Sequence, residues 1–219
     1  ILFHEEVMRF FEEVKGKGMI KAHGFSAHSN QTLFLQRANS LKFHDVVMVG
    51  YNHKGSMVHS LTGKYRKFDN HGMEHELRIA HDRGVGIIAM KTQAGGYKTE
   101  ELGDISPHQA ALKWVLQDTN VTVAVPGMVT LDHVRENTEV MRMMKLTRVD
   151  RQILRRYAQA IAPYHCIGCE ECSGTCPNAV RIADVNRCLM YAEGYGDLDL
   201  ARTTYAELPS ERTAAACKD

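Results

Sequence analysis

The chain has 219 residues, 44% of them hydrophobic and 24% charged, with a net charge of +1. That length allows one large domain or two modest ones with a core of useful size, and the composition is that of a globular protein. The near-neutral balance excludes an electrostatic case for nucleic acid or an acidic membrane surface, and no apolar run reaches the length of a membrane span.

Residues 4–15 predict an amphipathic helix, with Val7, Phe10, Phe11 and Val14 on one face, ended by Gly16 and Gly18. Ile20–Phe25 predicts a short strand and Ser26–Asn30 a loop. Gln31–Asn39 is a second helix, with Leu33, Phe34 and Ala38 inward. Val46–Val49 is a continuous apolar run, as in a strand buried on both faces. Tyr51–Asn70 lacks a period, and its Gly, Lys and His content predicts an exposed loop. Met73–Arg83 is a third helix with Gly84 as its C-cap, followed by the apolar strand Val85–Met90 and a break at Gly95-Gly96. His71 and His75 have helix-face spacing but no metalloprotease surroundings, and predict solvated surface.

Ser106-Pro107-His108-Gln109 is a helix start: Ser as N-cap, Pro at the first position, Gln three residues after the cap. That helix runs to about Gln117, with Ala110, Ala111, Trp114 and Val115 inward. Val121–Val125 is a strand closed by Pro126-Gly127. Thr130 caps a helix carrying Leu131, Val134 and Met141, and Thr147, with Asp150, caps another striped by Ile153, Leu154, Tyr157 and Ile161. Four apolar strands alternating with helices predict parallel βα units. About 150 residues is too short for a complete eight-fold barrel, which takes about 250. No G-x-G-x-x-G follows a strand, which counts against a dinucleotide-binding open sheet.

The next stretch breaks this pattern. Cys166-Ile-Gly-Cys169-Glu-Glu-Cys172-Ser-Gly-Thr-Cys176-Pro177 has the C-x2-C-x2-C-x3-C-P spacing that wraps a 4Fe–4S cluster. Closely spaced thiolates can take successive corners of one cubane, and Gly168, Ser173 and Gly174 let the backbone pass near it. Zinc is the alternative, although structural zinc sites usually join two knuckles a dozen or more residues apart. A disulfide scaffold gives the fixed spacing and Pro177 no role. Four clustered thiols among six cysteines point to a reducing compartment, here read as the cytoplasm. Only helices are predicted beyond: Val180–Tyr191, Leu198–Leu208 and Ser210–Ala216.

Taken in order, several stretches resemble the aldo/keto reductase family, in the branch with a C-terminal ferredoxin-like domain. They are Gly18-Met-Ile-Lys-Ala-His-Gly24-Phe-Ser26; Tyr51-Asn52; Gly84-Val-Gly-Ile-Ile-Ala-Met-Lys91 through Gly95-Gly96; Ala110-Ala-Leu-Lys-Trp114-Val-Leu; and Val125-Pro126-Gly127 through Glu136-Asn137. The resemblance implies a partial (β/α)8 TIM barrel, about strands five to eight, over residues 1–146. A helical linker and a truncated 4Fe–4S ferredoxin-type module would follow at 147–219. The family's catalytic Asp, Tyr, Lys and His lie on its first four strands, so the chain is expected to be a fragment without catalytic residues. Cys217-Lys-Asp219 resembles the opening of a second cysteine run.

The resemblance also implies cofactor positions. Ser26 matches the Ser that holds the nicotinamide amide, with Ala27 in place of the following Asn; Met48 and Met90 stand where a Gln and a stacking aromatic are usual. Glu136 and Asn137 match the pair that reads adenine, their other reading being an exposed helix face. Gly127 and His133 replace the basic grip on a 2′-phosphate, leaving NAD(P) without a fixed preference. Lys91, at a strand's C-terminal end, is a candidate for phosphate or substrate contact. Metal ligands would be Cys166, Cys169, Cys172, Cys176 and Cys217. The function implied is an iron–sulfur oxidoreductase acting on a small-molecule carbonyl or alcohol, with a redox partner protein and neither nucleic acid nor membrane as partner. The alternative is a non-enzymatic electron carrier or structural iron–sulfur protein on a degenerate barrel.

Overall fold

The computed structural model describes residues 2–27, 30–58, 65–67, 70–97, 106–162, 166 and 172–218. Helix α1 (Glu5–Gly16) leads to strand β1 (Gly24–Ala27), helix α2 (Gln31–Leu41) and strand β2 (Val46–Gly50). Strands β3 (Ser56–Val58) and β4 (Tyr65–Lys67) follow, then α3 (Asn70–Asp82), β5 (Gly86–Met90), α4 (Pro107–Leu116), β6 (Val123–Val125) and α5 (Leu131–Glu139). Helices α6 (Arg148–Ile161), α7 (Ile182–Leu189) and α8 (Leu198–Ala206) complete the regular elements. The chain divides into two compact units. One holds residues 1–56, 67–93 and 111–145; the other holds 57–66, 94–110 and 146–219. The second is thus drawn from three separate stretches.

In the first unit a four-stranded parallel sheet runs in the order β1-β2-β5-β6. This is the α/β arrangement expected of successive βα units. Ser26 pairs with Met48, Met48 with Ile88, and Met90 with Val125. Val47, Val49, Ile87 and Ala89 are at most 1% exposed, whereas Met48 and Ile88, which point the other way, are only half-buried. One face is therefore sealed, and the two-sided burial expected of these apolar runs is not reached. Gly24 opens β1 because a side chain there has no room: an added Cβ would lie 1.9 Å from the Val46 carbonyl oxygen. Helices α2 and α3 pack together, and Asn39 donates to both the Glu76 carbonyl (3.0 Å) and its carboxylate (2.8 Å).

Several expectations are corrected. Leu33 is 60% exposed, while Gln31, Leu35 and Ala38 form the buried stripe of α2. The stripe begins at Gln31 because its amide oxygen accepts the Gly50 N–H at the end of β2. Leu131, Val134 and Met141 are 74%, 40% and 64% exposed, and β6 leaves Val123 and Val125 at 44% and 48%. Tyr51–Asn70 is not wholly irregular, since β3 and β4 pair within it as a two-stranded sheet.

In the second unit the caps behave as local chemistry dictates. Ser106 Oγ accepts from the N–H groups of His108 (3.2 Å) and Gln109 (3.3 Å), and Thr147 and Asp150 form a reciprocal capping box. Ile153, Leu154, Tyr157 and Ile161 form the buried stripe of α6. Helix α7 does not end at Tyr191; it widens at Met190 into a π-helical turn reaching Tyr195. The predicted last helix is instead two 3-10 turns, Ser210–Arg212 and Ala214–Ala216, interrupted by extended Thr213.

Candidate functional site

The C-terminal ends of the parallel strands form one polar rim in the first unit. β2 delivers Tyr51 and Asn52. The fully buried Asn52 donates from Nδ2 to the Lys91 carbonyl (3.0 Å), and its Oδ1 accepts from the Lys54 N–H (3.0 Å). Asn52 thereby ties the end of β2 to the residue after β5. Lys91 sits at φ +57, a left-handed conformation uncommon outside glycine, which turns the chain sharply off the strand. Thr92 is 1% exposed, and its hydroxyl has no partner among the described residues. Gln93 Nε2 donates to Asn137 Oδ1 at 2.7 Å, joining this rim to α5. Below it, the Tyr51 hydroxyl donates to Asp118 (3.0 Å) and its ring packs on Trp114; burial, then Asp118 and Glu74, push the phenol well above its usual range. Burial also lowers His53 to about 4, with a smaller contribution from Lys54. Both His53 ring nitrogens are buried, without a partner among the described residues.

The predicted nucleotide positions are partly united. Lys91 and Asn137 share the rim through Gln93. Ser26 is exposed on β1, across β2 from β5, about two strand spacings or roughly 10 Å away. Asn137 is 5% exposed with its carbonyl engaged, so the exposed-face reading does not hold for it; Glu136 is half-buried. Ala27, 3% exposed, offers no polar group where an Asn would serve a carboxamide. His71 and His75 are exposed, as expected. The sequence reading missed Thr92, Gln93 and the anchoring part played by Asn52. Only the Tyr51-Asn52 pair carried a local signal.

The cysteine run belongs to the second unit. Among the described residues no group of three or more His, Cys, Asp or Glu is gathered to hold a metal ion. Cys169 lies outside the described residues. Cys166, Cys172 and Cys176 are free thiols of intermediate exposure, Cys188 is buried on α7, and Cys217 is exposed. A thiol-only donor set at this spacing fits an iron–sulfur cluster chemically. Cys166 packs against an aromatic cluster of Tyr97, Tyr157, Ile161 and Met190 with Tyr191 and Tyr195, and its Sγ donates to the Ala183 carbonyl at 3.7 Å. The Tyr97 and Tyr195 rings meet edge to face at 4.8 Å, and Tyr191 and Tyr195 lie 5.5 Å apart. The Tyr97 hydroxyl donates to Met190 Sδ at 3.1 Å. Burial, then Tyr191, raise the Tyr195 phenol to about 12.

The family model of the aldo/keto reductases matches residues 97–157. No curated protein matches the chain. Among solved structures, an aldo-keto reductase from Bacillus halodurans in its holo form is similar, with 18% identity and a TM-score of 0.49 over 69% of this chain and 53% of that one. A thermostable aldo-keto reductase in complex with the inhibitor epalrestat is similar at 20% identity and a TM-score of 0.48, over 69% of this chain and 54% of that one. The chain spans about half the length of these structures.

Proposed function

We propose that this chain is part of an aldo/keto reductase-like oxidoreductase that carries an iron–sulfur module. The observation that supports it most is the conjunction of the family match over residues 97–157 with the cysteine run that follows. In the whole protein, bound nicotinamide would supply hydride to a small-molecule carbonyl, or take it from an alcohol. Ser26 would hydrogen-bond the carboxamide, Lys91 would meet a phosphate or the substrate, and Glu136 and Asn137 would hold the adenine. Gly127 and His133 offer no fixed positive pair for a 2′-phosphate, which a bidentate Arg would supply. Cys166, Cys169, Cys172, Cys176 and Cys217 would ligate 4Fe–4S clusters, which pass single electrons or brace the fold. The second reading, an electron-carrying or structural iron–sulfur protein on a degenerate barrel, is favoured by buried Ala27 and Met90 in place of cofactor-binding side chains.

Anaerobic reconstitution followed by iron and sulfide analysis, with titration of NADH and NADPH, tests both readings. We expect iron and acid-labile sulfide together, and no strong preference for NADPH. Zinc without sulfide would end the iron–sulfur reading, and a hundredfold NADPH preference would end the selectivity argument. Cluster content without any nicotinamide binding by the whole protein would select the second reading.

A further inference from the structure

Helix α1 is held to the first unit by few side chains. Val14 is its one buried residue, and Phe10, on the same predicted face, is 57% exposed. A group of rings at the heads of β1 and β2 anchors it instead. Phe11 stacks on His23 with ring centroids 5.2 Å apart. Phe3, just ahead of the helix, meets Phe25, Phe34 and His44 at 6.1, 6.1 and 5.8 Å. Lys15 places its ammonium 2.7 Å from both oxygens of Asp45, whose Oδ2 also accepts the His23 backbone N–H at 3.0 Å. The helix therefore rests largely on His23, His44 and Asp45.

Both imidazoles are buried. His44 has no partner for either ring nitrogen among the described residues, and His23 has none for Nδ1. A proton on either ring would add an N–H among phenyl rings, which do not replace the water it loses. Burial, the largest influence, lowers both from 6.5. The charged groups facing them are few. Helix α1 presents Glu12, which favours a charged His23, and Lys15, which opposes it. Asp45 favours charge on both rings, and His23 opposes it at His44. Asp45 Oδ2 lies 3.7 Å from His23 Nε2, so a charged His23 competes with Lys15, and thus with α1, for that carboxylate.

We propose that the His23–His44 pair is an acid-operated latch: its protonation frees α1, with Phe3 and Phe11, from the sheet while β2 and β5 stay folded, uncovering Phe25 on β1. The freed rings regain water and titrate near 6.5. From pH 7.5 to pH 5.5 the release equilibrium therefore gains up to about tenfold per histidine.

Amide hydrogen exchange of the full chain in low urea, at pH 7.5 and pH 5.5 and corrected for the intrinsic pH dependence of exchange, tests this. Amides of α1 should exchange through an opening with little urea dependence that becomes more populated at pH 5.5. Amides of β5 should exchange through a larger opening with a steeper urea dependence. One shared urea dependence for α1 and β5 overturns the inference, because α1 then opens only with the rest of the unit. An α1 opening unchanged between the two pH values overturns it as well. The double variant His23→Phe, His44→Phe keeps the rings and removes the titrating groups; it should abolish the pH dependence of the α1 opening, and an undiminished dependence overturns the latch. Where that variant does not fold, NMR titration of the histidine ring protons in the parent chain decides. Titration of both below 6.5 in the folded chain supports the latch, and titration of both at or above 6.5 overturns it.

Discussion

His23 and His44 lie side by side just ahead of β1 and β2, their rings 5.6 Å apart and enclosed by Phe3, Phe11, Phe25 and Phe43. They are 6% and 7% exposed, and neither ring nitrogen of His44 has a partner among the described residues. Burial lowers both below the ordinary value of 6.5. Asp45 opposes this for both rings, Lys15 reinforces it at His23, and His23 reinforces it at His44. The unfolded chain therefore binds protons more readily than the folded one, and stability falls as pH drops below about 6.5. Burial alone would raise Asp45, but Lys15 and the His23 N–H hold it below its usual range, so its own contribution is lost only in stronger acid. Urea midpoints should drop from pH 7.5 to pH 5.5, and His44→Phe should reduce that drop; an undiminished drop would show that His44 is not a source. At this scale the sequence is only partly legible. The twelve histidines read as scattered, because the pairing of His23 with His44 depends on strand register and not on spacing. Asn137 likewise has a local signature, but its tie to Gln93 arises only when α5 folds back to the end of β5.

Elements differ in how far local chemistry determines them. The start of α4 at Ser106 and of α6 at Thr147 is legible because a cap is made within one turn. The central strands are legible because an apolar run with β-branched residues has few other uses. The inward face of α2 is not: Leu33, Phe34 and Leu35 are adjacent, and which one turns in follows from tertiary ties, the bond from Gly50 to Gln31 and those from Asn39 to Glu76 on α3. The β3-β4 pair shows no alternation in its sequence to announce it. Contact between β1 and β2 adds a constraint that composition alone would not rank above any other glycine. Gly24→Ala would drive a methyl into the backbone of Val46, which has no flexible end to move aside. We expect a loss of about 1–3 kcal/mol, the usual cost of overpacking, measured as a lower urea midpoint at unchanged slope. Full stability in that variant would contradict the close approach of the two strands.

Across the whole molecule, the sheet described here ends at β1 and β6, and β6 leaves Val123 and Val125 near half exposure beside exposed Met128, Val129 and Leu131. Strand edges without a partner among the described residues, next to apolar side chains, favour association between chains. The 219-residue chain on its own should therefore self-associate, visible as a concentration-dependent mass in light scattering; on the proposed placement in the second half of a barrel, it should also show no NAD(P)H-dependent carbonyl reduction. A monomeric chain that reduces an aldehyde would overturn the barrel placement read from its sequence. No helix among the described residues is long and apolar enough to cross a membrane. The second compact unit has a further consequence, because its three stretches are far apart in the chain. Tyr97 and Met190, joined by a hydrogen bond, are separated by 93 positions. At roughly 5–20 residues per second on the ribosome, Tyr97 is added to the chain about 5–20 s before Met190. The first unit's segments can pair in the order they are made, whereas the Tyr97 hydroxyl must wait for Met190 to be made before it finds that partner.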